Sequence, residues 1–340
     1  MPDGPTLREV GEHPFLRALC ERIRAREQLT QAIDGGGVRR VLVPPGDDCA
    51  VLAPGNAPLA VTTDALVEGV HFRSAWLRPA EIGRRAIAAN LSDLAAMGAS
   101  PAWTLVAIAA PPDLPAHSLD ELLDACAAAS EEAGAQMVGG NLTSSPVLTV
   151  TVTAIGTVTG RYLTRSGAEP GDQLVVTGTL GAAAAAVAAW SAGGVPEAPL
   201  RARFAAPEAR IRAGIALARA GAHAAIDVSD GLIADLGHLC AASHVGAIVE
   251  RARLPRLPEV AALDADGNDF AAAGGEDYEL LVACPDATVA RLDELAREAG
   301  VALTVVGRCV DAALGIVLRD ADGAPHRTQT AGFDHFTGHA

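Results

Sequence analysis

Strand-length apolar runs and helical patterns alternate along this chain, and the alternation restarts after one turn-rich stretch, Gly160–Gly171, which contains Pro170. Gly and Pro punctuate chains at turns and borders, so this stretch is the expected domain boundary, separating residues 1–160 from 161–340. Ahead of it the sequence predicts a helix over roughly Pro14–Ala32, short strands at Ala50–Ala53 and Leu59–Thr63, and a long helix from Pro79 to near Gly98. A strand at Trp103–Ala110, a helix at Leu119–Ala133 and a long alternating β segment at Val147–Val158 follow. Past the boundary come strand Leu174–Thr177, helices near Gly181–Ala192 and Glu208–Ala220, strand Ala225–Val228, helix Leu232–Ala242 and strand Ala247–Val249. Strand Glu279–Ala283, helix Ala287–Ala299 and strand Ala302–Val306 complete the pattern. Strands and helices mixed in both halves define the fold class as α/β (α+β mixed), in two domains. A length of 340 residues agrees, since at about 150 residues per domain each half can bury its own core.

Those cores must be built from small aliphatic side chains, because half of the residues are apolar but only 3% are aromatic. The net charge of −15 argues against a nucleic-acid partner and against an anionic membrane surface. All 26 basic residues are Arg. Without Lys there is no P-loop lysine, no protein-kinase strand lysine and no Schiff base. The six cysteines (Cys20, Cys49, Cys126, Cys240, Cys284 and Cys309) form no C-x-x-C pair and are expected to be reduced, mostly buried thiols of a cytoplasmic protein. Near the N-terminus, Asp3, Arg8, Glu9 and Glu12 leave no apolar core for a secretory signal. The uncharged stretch Gln173–Pro196 is broken by Thr177, Gly178, Thr179, Gly181, Gly193 and Gly194 into a strand, a turn and a short helix, so it is not expected to span a membrane.

The acidic residues gather where elements begin or end: Asp47-Asp48, Asp64 with Glu68, Asp93, Asp227 with Asp230, and Glu276-Asp277 with Glu279. Their neighbours are Gly, Ser, Thr and small apolar residues rather than Arg. Asp93 sits in a helix that is apolar on most sides, where an unpaired carboxylate costs several kcal/mol to bury and a cation would compensate it. A solvent-facing Asp on a surface helix is the alternative. Thr62-Thr63-Asp64 is expected to close a strand, bringing two hydroxyls and a carboxylate together at its end. Asp227-Val228-Ser229-Asp230-Gly231-Leu232 reads as a strand-to-helix junction, in which Ser229 or Asp230 either caps the helix or serves a site. Oxygen-only donors of this kind suit Mg²⁺, which is usually completed by waters and phosphates. The nine dispersed His offer no competing zinc set.

Gly139-Gly140-Asn141 and Gly274-Gly275-Glu276-Asp277-Tyr278 are expected as Gly-rich turns. Glycine lets backbone N–H groups approach a phosphate closely, although ordinary turns also use such pairs. An acid-lined pocket for polyphosphates would repel its ligands: two unit charges 4 Å apart cost roughly 4 kcal/mol at an effective dielectric near 20. Several Mg²⁺ ions would turn that repulsion into attraction and assist phosphoryl transfer.

Eight motifs occur in order from about Gly11 to Phe336: GDDCAVL from Gly46, TTDALVEGVHF from Thr62, NLSDLAAMGASP from Asn90, GGNLTSS from Gly139, LTRSGAEPGDQLVVTG from Leu163, IDVSDGLIADLGHL from Ile226, GGEDYELL from Gly274 and GFDHF from Gly332. On these segments the chain resembles the thiamine-monophosphate kinase family, within the superfamily that includes aminoimidazole ribonucleotide synthetase and selenophosphate synthetase. The resemblance implies phosphorylation of thiamine monophosphate by ATP, a homodimer, and N-terminal strands closing a barrel across its two-fold axis. Trp103–Ala110 and Val147–Val158 are the strands that suit this role. It also implies metal ligands at Asp48, Thr62, Thr63, Asp64, Asp93, Asp227 and Asp230, with Asn141 where the family often has Asp. ATP contacts fall on Gly140, Arg165 and Ser229, and substrate contacts on His71, Glu276 and Phe333. Ser144 and Phe333 replace the family's usual Arg and Tyr, removing one guanidinium and one hydroxyl.

Taken without the resemblance, these residues keep plainer readings. Arg165 suits phosphate because guanidinium meets it bidentately, but a solvated loop Arg is equally consistent. His71 is either a phosphate donor or a structural histidine, Glu276 a ring-nitrogen partner or an exposed loop carboxylate, and Phe333 a stacking face or a core anchor. An acceptor that is itself a phosphate is ionised at neutral pH and needs no general base, so positioning and charge neutralisation suffice for a direct in-line transfer without a phosphoenzyme. Two other readings compete: another ATP enzyme of the superfamily, and a silent Mg²⁺-nucleotide-binding protein. The selenophosphate branch depends on a reactive Cys with Lys, whereas Lys is absent here and Cys20 lies in a predicted helix.

Overall fold

A computed structural model of the chain describes residues 5–10, 15, 18–19, 21–23, 40–43, 51–53, 55–265 and 268–326. Two compact units emerge, Met1–Leu94 with Ser100–Thr159, and Ala95–Ala99 with Gly160–Ala340.

In the first unit a short helix, α1 (Leu7–Val10), precedes an antiparallel pair, β1 (Arg40–Val43) with β2 (Val51–Ala53). Its main sheet is built from β3 (Leu59–Val67), β4 (Ser100–Ala110), β5 (Gln136–Ser144) and β6 (Thr149–Thr157) in the order β3-β6-β4-β5, with helices α2 (Pro79–Ala96) and α3 (Ala116–Glu132) between strands. Only β4 and β5 run parallel, as expected for strands joined by a helical crossover. The sheet is open, and β3 and β5 form its edges. The period-2 alternation of β6 buries Val150, Val152 and Ala154 completely and leaves Thr149, Thr151 and Thr153 half-buried on the other face. Helix α2 starts with Pro at its first position, where a missing N–H costs nothing, and Glu81 accepts the N–H of Arg78 at 2.8 Å. Gly98, at φ 68°, turns the chain left-handed just beyond its end.

Gly139-Gly140-Asn141 is not a turn; it lies within β5, paired in register with Leu105, Val106 and Ala107. A side chain at Gly140 would put its Cβ 1.8 Å from the Val106 carbonyl oxygen, so glycine is there to let two backbones close on each other.

The second unit carries β7 (Gln173–Thr177), α4 (Ala182–Ser191), α5 (Ala198–Ala205), α6 (Ile211–Arg219), β8 (Ala224–Val228), α7 (Leu232–Ser243), β9 (Val245–Glu250), α8 (Pro258–Ala265), α9 (Phe270–Ala273), β10 (Glu279–Cys284), α10 (Asp286–Val289), α11 (Leu292–Ala299), β11 (Leu303–Asp311), β12 (Ile316–Arg319) and β13 (Pro325–His326). Its seven strands are ordered β13-β12-β9-β11-β7-β10-β8, antiparallel except for the β12–β9 pair. Helices α6 and α11 pack together, and Ala213, Leu217, Val175, Leu280 and Leu295 share one core. Cys126, Cys240, Cys284 and Cys309 are buried free thiols, as their scatter predicts, whereas Cys20 and Cys49 lie outside the described residues.

In the second unit three short helices, α5, α8 and α9, escape the sequence pattern, and the expected helix at Ala287–Ala299 is two pieces, α10 and α11. Helices this short are held by tertiary packing rather than propensity. In α5 the buried Phe204 meets Trp190 edge-on at a centroid distance of 5.4 Å. At the α10 end, Thr288 is buried and its hydroxyl donates to the Ala220 carbonyl at 2.9 Å.

Candidate functional site

In the first unit, β3 and α2 bring together one part of the predicted set. The Thr62 hydroxyl donates to Asp93 Oδ2 at 2.5 Å, and the Asp64 N–H donates to Asn90 Oδ1 at 2.9 Å. Asn90 is itself held by its amide, which donates to the Ala86 carbonyl at 3.0 Å. Asp93 is thus neither unpaired nor simply solvated: it is half-buried on α2 with its orientation set by a strand hydroxyl. The expected convergence of Thr62, Thr63 and Asp64 does not occur. Strand β3 runs on to Val67, and side chains alternate across a strand, so Thr63 faces away from Thr62. Its hydroxyl donates to the Val152 carbonyl at 2.9 Å and accepts from Thr153 at 3.2 Å. Gly140 and Asn141 lie exposed on the edge strand β5. His71 follows the turn after β3, where the Val67 N–H donates to its Nδ1 at 3.0 Å, which leaves the ring proton on Nε2.

The second unit assembles two loops. Residues 229–231 join β8 to α7, and residues 274–278 lead into β10. The loops are stitched by backbone bonds, Glu276 N–H to the Ser229 carbonyl at 2.7 Å and Tyr278 N–H to the Val228 carbonyl at 2.9 Å. Neither Ser229 nor Asp230 caps α7. Gly231 holds the cap position, and Asp235 reaches back so that its Oδ2 accepts the N–H groups of Ser229, Asp230 and Gly231, each at 3.1 Å. Burial, then the like charges of Asp227 and Asp230, push the Asp235 carboxyl up to about 7. Glu276 and Tyr278 both have positive φ, 71° and 53°, and the Tyr278 hydroxyl donates to Glu276 Oε2 at 3.0 Å. Left-handed backbone at two non-glycine residues costs of order 1–3 kcal/mol each and gathers at functional loops. Arg165 is exposed, and Asp48 and Phe333 lie outside the described residues.

The end of this second loop departs from the expectation that the acidic groups lack Arg partners. Glu279 is buried and clamped bidentately by Arg210, at 2.6 Å through Nε and 2.7 Å through a terminal nitrogen, and the Thr177 hydroxyl donates to it at 2.6 Å. The pairing joins residues 69 positions apart, and no local spacing announces it. Nothing in the sequence around Arg210, which is flanked by Glu208 and Arg212, singles it out.

Asp277 accepts the Gly181 N–H at 2.6 Å, and burial pushes its carboxyl up to about 8. A carboxyl whose folded value lies above its unfolded one stabilises the fold fully at low pH and loses that contribution as the pH rises to the folded value. The stability of the protein relative to Asp277→Asn should therefore fall between pH ~4 and ~8, by at most about 1.4 kcal/mol per unit. Urea unfolding of both proteins across that range tests this; a difference independent of pH would show that Asp277 stays ionised.

Among the described residues no group of three or more His, Cys, Asp or Glu side chains is placed to hold a metal ion by itself. Asp227, near the end of β8, and Asp230, in the loop that follows, nonetheless lie on one strand-to-helix junction, and Asp64 is exposed on the strand that carries Thr62, the donor to Asp93. A few carboxylate oxygens per cluster, with no nitrogen or sulfur donor, fit Mg²⁺, which keeps waters and binds through one or two carboxylates plus substrate phosphates. No helix of the described residues is long and apolar enough to cross a membrane.

Two family descriptions match the chain: AIR synthase related protein, N-terminal domain, over residues 46–158, and AIR synthase related protein, C-terminal domain, over residues 169–319. The thiamine-monophosphate kinase of Mycobacterium tuberculosis is 40% identical over 288 residues, which cover 83% of each chain. Among solved structures, the thiamine-monophosphate kinase of Stenotrophomonas maltophilia superposes with a TM-score of 0.80 at 38% identity, covering 91% of this chain and 97% of that one. The complex of AaThiL with AMPPCP and TMP superposes with a TM-score of 0.72 at 28% identity, covering 94% and 98%.

Proposed function

The chain belongs to the thiamine-monophosphate kinases of the AIR synthase related family, and we propose that it uses ATP to phosphorylate thiamine monophosphate, giving thiamine diphosphate by direct, Mg²⁺-assisted in-line transfer. The observation that carries this reading is the full-length likeness to a structure that holds an ATP analogue together with TMP. It is a phosphotransferase with a phosphate acceptor, and its expected compartment is the cytoplasm, where ATP is supplied.

Residue roles follow from the chemistry of the donors. Asp64 and Asp93 in the first unit, and Asp227 and Asp230 in the second, are the proposed metal ligands; Thr62 orients Asp93. Thr63 and Asn141 are weaker candidates: Thr63 faces the opposite side of β3, and an amide brings no charge. Bound Mg²⁺ neutralises phosphate charge and strengthens electrostatic stabilisation of the transferring group. Gly140, whose missing side chain serves the approach of β4, is an ATP-contact candidate only through its exposed position on edge strand β5, whereas Ser229 offers a hydroxyl and the exposed Arg165 can fork onto phosphate oxygens. His71, with its ring held by the Val67 N–H, is the proposed donor to the acceptor phosphate. Glu276, oriented by Tyr278, accepts from the thiamine base. No proton must leave the ionised acceptor, so the absence of a nucleophile–base pair among these groups is consistent with direct transfer.

The homodimer also belongs to this proposal. Among the described residues strand β3 is paired on one side only, and it exposes 46% of Leu59 and 63% of Val61. Unpaired strand edges with apolar side chains are usually covered. A second copy is the proposed cover, and sedimentation at micromolar concentration should give twice the 34.5 kDa chain mass; a strict monomer refutes this.

The assay is direct. Protein, ATP, Mg²⁺ and thiamine monophosphate should yield thiamine diphosphate by chromatography, with loss of product on chelation by EDTA and no phosphoenzyme at any stage. ATP binding without product would reassign the protein to a different acceptor.

A further inference from the structure

We propose that Asp235 is a positioning residue: without touching the cation, it fixes the loop that presents Asp227 and Asp230 and so sets that loop's affinity for a divalent metal. The proposal rests on Asp227 and Asp230 being ligands.

Asp235 lies in the first turn of α7 and is 2% exposed, and the proposed transfer gives it no role of its own. One of its oxygens accepts three consecutive N–H groups, those of Ser229, Asp230 and Gly231. Consecutive N–H groups converging in this way form an anion-binding nest. Here the nest is filled from behind by the chain's own carboxylate, so the loop offers a cation its side-chain oxygens while its backbone donors are already engaged. The other side of the loop is equally committed. The Ser229 and Val228 carbonyls accept from Glu276 and Tyr278. Gly231, at φ 118°, stands where a Cβ would lie 2.5 Å from the Ala273 carbonyl, and a Cβ on Gly275 would lie 2.5 Å from the Ser229 carbonyl. Glycine on both sides lets the loops close to backbone contact. Among the described residues, 228–231 are therefore held by the main chain of the 274–278 loop and by the Asp235 side chain. Groups that orient metal ligands this way are often nearly as important as the ligands, and losing one typically costs 10–100-fold in metal affinity.

The test measures Mn²⁺ binding to the full-length enzyme without substrates, by the electron paramagnetic resonance of free Mn²⁺. It compares the native protein with Asp235→Ala, Asp235→Asn and Asp230→Ala. Asp235→Ala should weaken binding about tenfold or more. Asp235→Asn, which keeps an acceptor oxygen but loses the charge, should fall between Ala and native. Thermal melts establish which variants are folded, and Asp235→Asn carries the test if Ala does not fold. In steady-state kinetics KM for Mg²⁺-ATP should rise while KM for thiamine monophosphate holds. Unchanged Mn²⁺ affinity in a folded Asp235 variant, with loss in Asp230→Ala, overturns the positioning role alone. Unchanged affinity in Asp230→Ala overturns the ligand reading, and the positioning role with it.

Discussion

Asp93→Ala is expected to lower the rate of thiamine diphosphate formation at least about 10²-fold, beyond the usual cost of losing a group that only orients a metal ligand. Asp93 is proposed to bind metal directly, and its carboxylate is already aimed by the Thr62 hydroxyl at 2.5 Å. The neighbouring strand position is fixed by Asn90, which accepts from the Asp64 N–H. Asp93→Ala leaves that second link intact, so the fold should survive and the loss should be chemical. Thr62→Val removes only the orienting hydroxyl and should cost less, about tenfold. Raised Mg²⁺ should recover part of the Thr62→Val loss and little of the Asp93→Ala loss. Activity of Asp93→Ala within a few-fold of native would remove Asp93 from the ligand set.

Arg210→Ala should cost about 3–5 kcal/mol of stability, the usual penalty for stranding one member of a buried ion pair. Glu279 is 1% exposed and Arg210 7%, and the pair is bidentate. Removing the guanidinium leaves a buried carboxylate with the Thr177 hydroxyl as a remaining neutral donor and the Arg203 guanidinium out at 4.0 Å. Water cannot enter easily on the glycine side, since a Cβ at Gly178 would already lie 2.0 Å from a Glu279 oxygen. The double variant Arg210→Met with Glu279→Leu should regain most of the loss, because two apolar groups need no charge partner. Urea unfolding of the three proteins decides the point. A cost under about 1 kcal/mol for Arg210→Ala would mean that water or Arg203 already solvates Glu279.

Long, strongly patterned elements were readable before any coordinates. Helix α2 announces itself by Pro79, an apolar run and Gly98, and β6 by its alternating Thr and aliphatic residues. Short pieces were not. The eight-residue helices α5 and α8 have too few turns to show a period. Gly139-Gly140 looked like a turn because glycine pairs usually are turns. In β5 Gly140 serves instead the close approach of a parallel neighbour, which no local pattern encodes.

The same division holds for the site. The order and content of its motifs, the oxygen-only donors, the absence of Lys and the family are all properties of the chain as written, since they depend on which residues occur and at what spacing. What each carboxylate does was decided by residues far away in sequence. Asp93 is oriented by a hydroxyl 31 positions distant, whereas Glu279 is neutralised by a guanidinium 69 positions distant. Asp235 acts over only four to six positions, but its burial comes from packing. Charge and hydrogen-bond energies depend on distance and on exclusion of water, and both of these are set only when separate strands and helices pack.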